Sequence, residues 1–186
     1  MTTLLAAESA GDRLTEDELV STVVLLLNAG HEATMHAIGN AVKALLEAPP
    51  EIRTALFDGR CPALVDELLR FDAPLHMFTR YALVDTEFAG VALRQGDQVG
   101  LLLGAANRDP ARFPAPHTLN LGRDPNPHVS FGAGIHFCIG SPLARLELEV
   151  ALPILFERLP GLRLVEPPRY RDTYHFHGLE KLRLAW

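Results

Sequence analysis

The sequence contains few cysteines and has no excess of basic charge. Two cysteines among 186 residues are too few for a disulfide framework or a zinc cage, which favours a reduced, cytoplasmic setting. The formal net charge of −6 does not suit a nucleic-acid-binding surface. The strongest apolar run, residues 20–29, is shorter than the about 20 residues that cross a bilayer. The N-terminal residues also lack the basic start and apolar core of a signal peptide. We therefore expect one globular cytoplasmic unit without a membrane or nucleic-acid partner.

Residues 28–40 read NAGHEATMHAIGN and are similar at first sight to a zinc-protease helix. That motif has two histidines four residues apart on one helix face. His31 and His36 are five residues apart, which separates them by roughly 140° around a helix, so they cannot share one metal. What remains is an acid, Glu32, shortly after a glycine in the middle of a long predicted helix.

Hydrophobic periodicity and helix-capping signals predict a mainly α-helical fold with small antiparallel β segments. A long helix is predicted from the capping box of Thr15 and Glu18 to Ala48, and Val23–Leu27 should be buried on all sides. The other predicted segments are helices at Pro50–Phe57 and Pro62–Phe71, strands around Phe78–Leu83, Val91–Leu93 and Val99–Leu103, an irregular loop over 104–141, a helix from the cap Ser141 to about Leu159, and a strand at Gly178–Trp186.

The segment FGAGIHFCIG, residues 131–140, places one cysteine among glycines shortly before a predicted helix. Cys138 thus lies near a helix N-terminus, where a thiolate is stabilised. A single soft ligand does not suit zinc or an iron–sulfur cluster, and it does suit an iron that already has four ligands, as in haem. Two other interpretations stay open from the residues alone: a buried, inert cysteine, and a nucleophile paired with His136.

The pattern F-x-x-G-x-H-x-C-x-G in this segment resembles the haem-binding signature of cytochrome P-450, in its bacterial soluble form. The resemblance covers residues 12–186 and implies the C-terminal half of that fold, with its long central helix, E-x-x-R helix, haem-binding loop and final helix. We therefore expect residues 1–186 to form a single partial haem-binding domain that lacks the N-terminal half. Residues 1–11 resemble the end of an earlier helix.

The resemblance implies haem b, iron protoporphyrin IX, as the cofactor and Cys138 as the ligand of its iron. Arg80 and His136 match contacts to the haem propionates, although a surface arginine and a loop-bracing histidine are the alternatives for these two. His128 is interpreted as a brace of the loop. The other cofactor-binding positions that the resemblance implies are Phe131, Gly132, Gly140 and Ala144.

Three charged residues match a buried triad of the family that lies beside the haem loop. Glu67 and Arg70 correspond to its E-x-x-R pair, and Arg123 corresponds to its later arginine. Acid–base pairs three residues apart are also common on helix surfaces. If the network is buried, it should pin the loop, because removing one member would leave the other charges unpaired.

The stretch AGHEAT resembles the oxygen-binding part of the family's central helix. The pair Ala29 and Gly30 would leave room for oxygen and substrate and would loosen the helix locally. Glu32 matches the acid that relays protons during O–O cleavage. The family usually has a threonine directly after this acid, whereas this sequence has Ala33, and Thr34 lies about 100° further around the helix.

The implied function is that of a haem-thiolate monooxygenase acting on a small organic substrate. The implied electron donor is a ferredoxin or flavodoxin that docks around the Cys138 loop, with Arg145 as a candidate contact. The alternative is a truncated, non-catalytic remnant, or a half-protein that needs a complementary chain to bind haem. Ala33 and the missing N-terminal half favour that alternative, and Val23–Leu27 would then lose its neighbours.

Overall fold

The computed structural model describes residues 8–9 and 12–186 and is mainly helical with small antiparallel sheets, as the sequence predicts. The elements are, in chain order, strands β1 (Glu8–Ser9) and β2 (Asp12–Arg13), helix α1 (Glu16–Glu47), a 3-10 helix (Pro50–Leu56), helix α2 (Cys61–Phe71), strands β3 (Met77–Tyr81), β4 (Thr86–Phe88), β5 (Val91–Leu93) and β6 (Gln98–Leu102), helix α3 (Leu103–Ala106), a second 3-10 helix (Gly134–His136), helix α4 (Ser141–Arg158), and strands β7 (Arg163–Leu164) and β8 (Leu184–Ala185). The antiparallel pairs are β1–β2, β3–β6, β4–β5 and β7–β8.

Helix α1 begins and ends where local signals predict. The backbone N–H of Glu18 donates to Oγ1 of Thr15 at 3.3 Å, and the backbone N–H of Thr15 donates to Oε2 of Glu18 at 2.8 Å. This capping box satisfies two backbone donors that the helix start would otherwise leave unpaired. The helix runs unbroken through Ala29 and Gly30, and local loosening at this pair stays a prediction.

The hydrophobic core lies where the C-terminal half of α1 meets α2 and α4. Each fully buried leucine or valine there contributes about 1.5–3 kcal/mol, so this contact fixes the position of the two shorter helices. The most deeply buried of its apolar side chains are Leu45, Leu64, Val65, Leu148 and Leu152.

The N-terminal half of α1 is exposed. Val24, Leu25, Leu26 and Leu27 are between 44% and 68% exposed, because the buried core reaches α1 only from His36 onward. The prediction that Val23–Leu27 is buried on all sides is therefore wrong for this chain, whereas the expected loss of neighbours is confirmed.

The helix predicted at Pro50–Phe57 is a 3-10 helix over Pro50–Leu56, and the predicted irregular loop 104–141 overlaps helix α3 and contains a 3-10 helix at Gly134–His136. Three further differences have a plain physical reason. Thr86–Phe88 is a strand that the sequence did not predict, because all its residues are exposed and show no apolar alternation. Ser141 is the first residue of α4 and not its cap, which is Gly140 and offers no side-chain hydrogen bond. At the end of the chain only Leu184–Ala185 is a strand, because β7 offers two residues for pairing.

The predicted helix end at residues 1–11 is wrong at Glu8–Ser9, which form β1. Residues 1–7 and 10–11 lie outside the described part of the chain. Among the described residues, no helix combines the length and apolar character that crossing a bilayer requires.

A polar and aromatic cluster holds the C-terminal segment against α1 and the end of α2. Asp72 accepts a hydrogen bond from Tyr170 and lies 3.1 Å from Nε2 of His177. The His177 ring stacks on Tyr170 and on His76, with centroid distances of 3.9 and 3.7 Å. Asn40 donates to the backbone oxygens of Asp72 and His177. These contacts position the residues just before His177.

Asp72, His76 and His177 offer metal-ligand atoms within 4.8 Å of one another. The two imidazole rings, however, stack 3.7 Å apart with an angle of 11° between their planes. An imidazole binds zinc at about 2.0–2.1 Å and close to its own ring plane, and two parallel planes at this separation share no such position. We therefore interpret this cluster as a packing contact.

The protein is expected to lose stability as the pH falls from 6.5 to 4 because of His76. Burial, followed by the charge of nearby His177, lowers the pKa of His76 from its ordinary value of 6.5 to about 4. In this window the unfolded chain binds a proton that the folded chain does not, so this contribution to stability is complete above pH 6.5 and is lost toward pH 4. Since the side chain is only half-buried, we expect a loss of about 1–2 kcal/mol.

Urea unfolding at pH 7 and pH 4.5 measures this loss. In the His76→Asn variant, the loss of unfolding free energy between pH 7 and pH 4.5 should be smaller by that amount. The His117→Asn variant, which alters an exposed histidine, should lose as much as the parent. An unchanged pH dependence in His76→Asn would contradict the assignment.

Candidate functional site

The Cys138 loop, residues 131–140, is folded back on itself. The backbone N–H of Cys138 donates to the carbonyl oxygen of Phe131 at 2.9 Å. Gly132 and Gly134 have φ angles of 71° and 65°, in the left-handed region that residues with a side chain rarely adopt. Since α4 begins soon after Cys138, the cysteine backbone is fixed between a tight turn and a helix start.

Exposed apolar side chains surround Cys138. Ile135 is 96% exposed and Ile139 is 89% exposed, and Phe137 and Leu143 are also exposed. An apolar surface of this kind marks a binding site. Cys138 is itself exposed, so the interpretation as a buried, inert cysteine is wrong. Within the described part of the chain, no hydrogen bond joins its sulfur to a histidine that could activate it as a nucleophile.

A side-chain network braces this loop against α2. Nε of Arg145 lies 2.7 Å from Oδ1 of Asp66, and Nε2 of His128 lies 3.4 Å from the same oxygen. The Arg145 guanidinium also lies 4.6 Å from the centre of the Phe131 ring. Burial alone would raise the pKa of Asp66, but the hydrogen bonds from His128 and Arg145 outweigh it and hold the pKa below its ordinary value. Sequence reasoning missed Asp66; its place directly before the E-x-x-R pair was the available signal.

Glu67, Arg70 and Arg123 lie together in the interior. The carboxylate oxygens of Glu67 accept two hydrogen bonds from Arg70, both at 2.8 Å, and one from Nε of Arg123 at 3.2 Å. Glu67 and Arg70 are each 1% exposed. A buried carboxylate of this kind requires paired charges and hydrogen bonds, and the two arginines provide them.

The same network fixes the long loop between α3 and α4. Arg70 also donates to three loop carbonyl oxygens, those of Asn107, Pro116 and Thr118, at 2.9 to 3.2 Å. Asn126 donates to Glu67 at 3.2 Å. Neither Asn126 nor the backbone contacts were predicted, because they depend on how the irregular loop folds.

A cavity of about 470 Å³ lies beside α1. Glu32 lines this cavity, whereas Ala33, Thr34 and Cys138 do not. Ala29 and Gly30 are exposed, and a Cβ atom at Gly30 would meet nothing within 4 Å. The other lining residues are His36 of α1, Met77 and Thr79 of β3, Gln98 of β6, and residues 171–176 of the C-terminal segment.

Arg80 and His136 are both exposed, Arg80 on β3 and His136 in the Cys138 loop. Arg80 donates to the backbone oxygen of Thr79 at 2.9 Å, and no carboxylate of the described chain forms an ion pair with either side chain. Both are therefore available to an anionic group. Ala144 is half-buried in the first turn of α4.

This set of groups fits a haem. It provides one soft sulfur donor on an open apolar face, a glycine-containing loop around it, and two nitrogen-bearing side chains free for propionates. A porphyrin needs one protein ligand on one side of its iron and apolar surface for its rings, and this face offers both.

A sequence model of the family described as Cytochrome P450 matches residues 61–163. The chain is 44% identical over 188 residues to the Biotin biosynthesis cytochrome P450 of Bacillus subtilis (strain 168), covering 100% of the chain and 48% of that protein. It is 41% identical over 191 residues to the Mycinamicin IV hydroxylase/epoxidase of Micromonospora griseorubida, covering 98% of the chain and 48% of that protein.

Solved structures also match this chain over nearly its whole length. The P450BioI complex with hexadec-9Z-enoic acid ligated acyl carrier protein has a TM-score of 0.91 and 44% identity, covering 100% of this chain and 48% of that one. The cytochrome P450 PksS of the bacillaene polyketide synthase of Bacillus subtilis 168 has a TM-score of 0.93 and 38% identity, covering 99% of this chain and 49% of that one. The chain thus spans about half the length of the relatives it matches.

Proposed function

Because the chain belongs to the cytochrome P450 family and has the fold of its C-terminal half, we propose that it carries the haem-binding half of a haem-thiolate monooxygenase. The reaction inserts one atom of O₂ into a small organic substrate and reduces the other to water. The single observation that carries the proposal is an exposed cysteine on an apolar face, in a loop that Asp66, His128 and Arg145 brace against α2. A cytoplasmic location is part of the proposal, since both cysteines are free thiols.

In this proposal, Cys138 would hold haem b through its sulfur. When bound, the haem supplies the iron at which O₂ is reduced, and a thiolate ligand favours O–O cleavage. Arg80 and His136 hold the propionates, because both are exposed and free of carboxylate partners. Phe131, Gly132, Gly140 and Ala144 would help to hold the cofactor from the loop and from the start of α4.

Glu32 relays protons from solvent in this proposal, since its side chain is 43% exposed and lines the cavity. Ala29 and Gly30 leave open space on α1 for oxygen and substrate. Ala33 provides no hydroxyl beside the acid, and the unbroken helix turns Thr34 about 100° away from that position.

The proposed electron donor is a ferredoxin or a flavodoxin that docks around the Cys138 loop. Arg145, one candidate contact, is already paired with Asp66 and lies over Phe131, so it would couple the docking surface to the loop. The substrate is a small organic molecule. One structural neighbour was solved with an acyl carrier protein bearing a fatty acid, and an acyl chain is therefore one substrate to test.

The test is the absorption spectrum of the chain after haem has been added, reduced under carbon monoxide. We expect the red-shifted band of a thiolate-ligated haem. If no haem is retained, or if the band is absent, the proposal fails for this chain.

A second candidate function is that of a half-protein that binds haem only with a complementary polypeptide, or a non-catalytic remnant. The exposed side chains at Val24–Leu27 favour this candidate, because burying each of them against a second polypeptide would contribute about 1.5–3 kcal/mol to the free energy of association. In that case the chain alone gives no thiolate band, and the band appears once the remaining half of a related enzyme is added; a remnant shows no band in either case.

The variant Ala33→Thr is expected to increase the product formed per electron consumed by about two- to tenfold, the effect of one added hydrogen bond. The physical reason is that a hydroxyl beside Glu32 would take part in proton delivery. The measurement is the ratio of product to electrons in the haem-loaded protein. The control is Ala33→Val, which has the same shape without the hydroxyl; an equal increase in Ala33→Val, or none in Ala33→Thr, would contradict this explanation.

A further inference from the structure

His36 lies one helical turn after Glu32 on α1 and is only 4% exposed. Its Nε2 atom has no hydrogen-bond partner among the described residues, although Oε1 of Glu32 lies 3.6 Å away. A buried polar atom without a partner costs about 1–3 kcal/mol, so this atom requires a partner or another explanation. Both side chains line the same cavity.

The C-terminal segment holds the His36 ring in place. A Cβ atom at Gly178 would lie 1.8 Å from Nδ1 of His36, so only a glycine lets the backbone approach the ring this closely. The centroid of the Phe176 ring lies 5.9 Å from that of the His36 ring, and the two ring planes are tilted by 51°. Because these neighbours restrict the ring, Nε2 stays close to Glu32.

The Glu32 side chain, in contrast, is free to move. It is 43% exposed, and the 3.6 Å separation from Nε2 is only slightly longer than a hydrogen bond. A small rotation of the carboxylate, or one bridging water in the cavity, completes the contact. The residue that follows the acid, Ala33, has no polar atom on its side chain, whereas His36, one helical turn further on α1, places Nε2 3.6 Å from Oε1 of Glu32.

We propose that His36 is a positioning residue for Glu32: its Nε2 atom orients the carboxylate and shares a proton with it, directly or through one water. This inference rests on the proposed function, in which Glu32 delivers protons. In the shared step, the proton on Nε2 of the imidazolium passes to Oε1 of Glu32 and leaves a neutral imidazole. A proton from bulk solvent, relayed through water in the cavity, then returns to Nε2, and no group is oxidised or reduced.

The other titratable groups of the cavity come from the C-terminal segment and are Arg171, Asp172, Tyr174 and His175. Strands β3 and β6 add only uncharged side chains to the lining. Nδ1 of His175 is already engaged with the backbone oxygen of Met77 at 3.1 Å. Within the described chain, Glu32 is the carboxylate that lies within 4 Å of His36.

The contact is tested without haem by ¹⁵N NMR of the histidine rings in the whole chain. The variant Glu32→Gln keeps the size of the side chain and removes its charge. We expect the Nε2 resonance of His36 to shift, while the resonances of His117, which is exposed and bonded to Arg108, stay in place. An unchanged His36 resonance overturns the proposal.

Turnover of the haem-loaded protein tests the role of the contact. His36→Gln should lower the product formed per electron about fivefold, the effect of one lost hydrogen bond, and should change the solvent deuterium isotope effect with KM for the substrate unaltered. His117→Gln is the control and should match the parent. The double variant Glu32→Gln/His36→Gln should form as much product per electron as Glu32→Gln alone, because the two residues act as a unit.

Additive losses in the double variant, or an unchanged isotope effect in His36→Gln, overturn the proposal, because a merely structural histidine would give those results. If the protein binds haem but forms no product, the proposed function fails. The NMR result still decides whether His36 and Glu32 interact, so the two failures are distinguishable.

Discussion

Replacing Cys138 with serine is expected to abolish the red-shifted carbon monoxide band of the haem-loaded protein. The hydroxyl of serine is a hard, neutral group that does not replace a thiolate as an iron ligand. The loop itself should keep its shape, because its hydrogen bond to Phe131 comes from the backbone of residue 138. The effect is therefore loss of one ligand and not loss of the fold.

Cys61→Ser is the matched control for this prediction. Cys61 is the only other cysteine, it lies half-buried at the start of α2, and burial, followed by the nearby Glu149 carboxylate, raises the pKa of its thiol. It should have no part in ligation, so the band should persist in Cys61→Ser. A band that persists in Cys138→Ser, or disappears in Cys61→Ser, would show that another side chain holds the iron.

Removing the Glu67 carboxylate is expected to lower the free energy of unfolding by about 3–5 kcal/mol. Glu67→Ala leaves Arg70 and Arg123 charged in the interior, where both side chains are at least nine-tenths buried. Arg70 would keep its bonds to three loop carbonyl oxygens, and these groups do not neutralise its charge. The loss should be visible as a lower urea midpoint with an unchanged slope.

Asp58→Ala is the control, because Asp58 forms an exposed ion pair with Arg60. Exposed ion pairs contribute little to the free energy of unfolding, so the urea midpoint of this variant should be close to that of the parent. If Glu67→Ala does not fold, Glu67→Gln retains some hydrogen bonds and should give a smaller, measurable loss. A loss in Glu67→Ala no larger than that in Asp58→Ala would contradict the importance of the buried network.

The long helix and the cysteine loop could be predicted from the sequence because their signals are local. The capping box of Thr15 and Glu18, the proline after Ala48, and the glycines around Cys138 each act within a few residues of the chain. The spacing of Glu67 and Arg70 is also local, although their burial is not. Strand Thr86–Phe88 was missed because a short exposed strand has almost no apolar pattern.

The contacts that connect distant segments could not be predicted. Asp66 meets Arg145, Gly178 meets the ring of His36, and Asp72 meets Tyr170 only after the chain has folded. None of these pairs has a fixed spacing in the sequence. They decide where the cavity lies and which side chains face Glu32.

The sequence by itself determined the family and the mainly helical fold, and it singled out Cys138 as the proposed haem ligand, because each depends on residue types at short, fixed spacings. Only the tertiary structure decided that Glu67 and Arg70 are buried, that Val24–Leu27 are exposed, and that the unpartnered nitrogen of His36 lies beside Glu32. Burial and pairing depend on which segments pack together, and that packing brings together residues far apart in the chain.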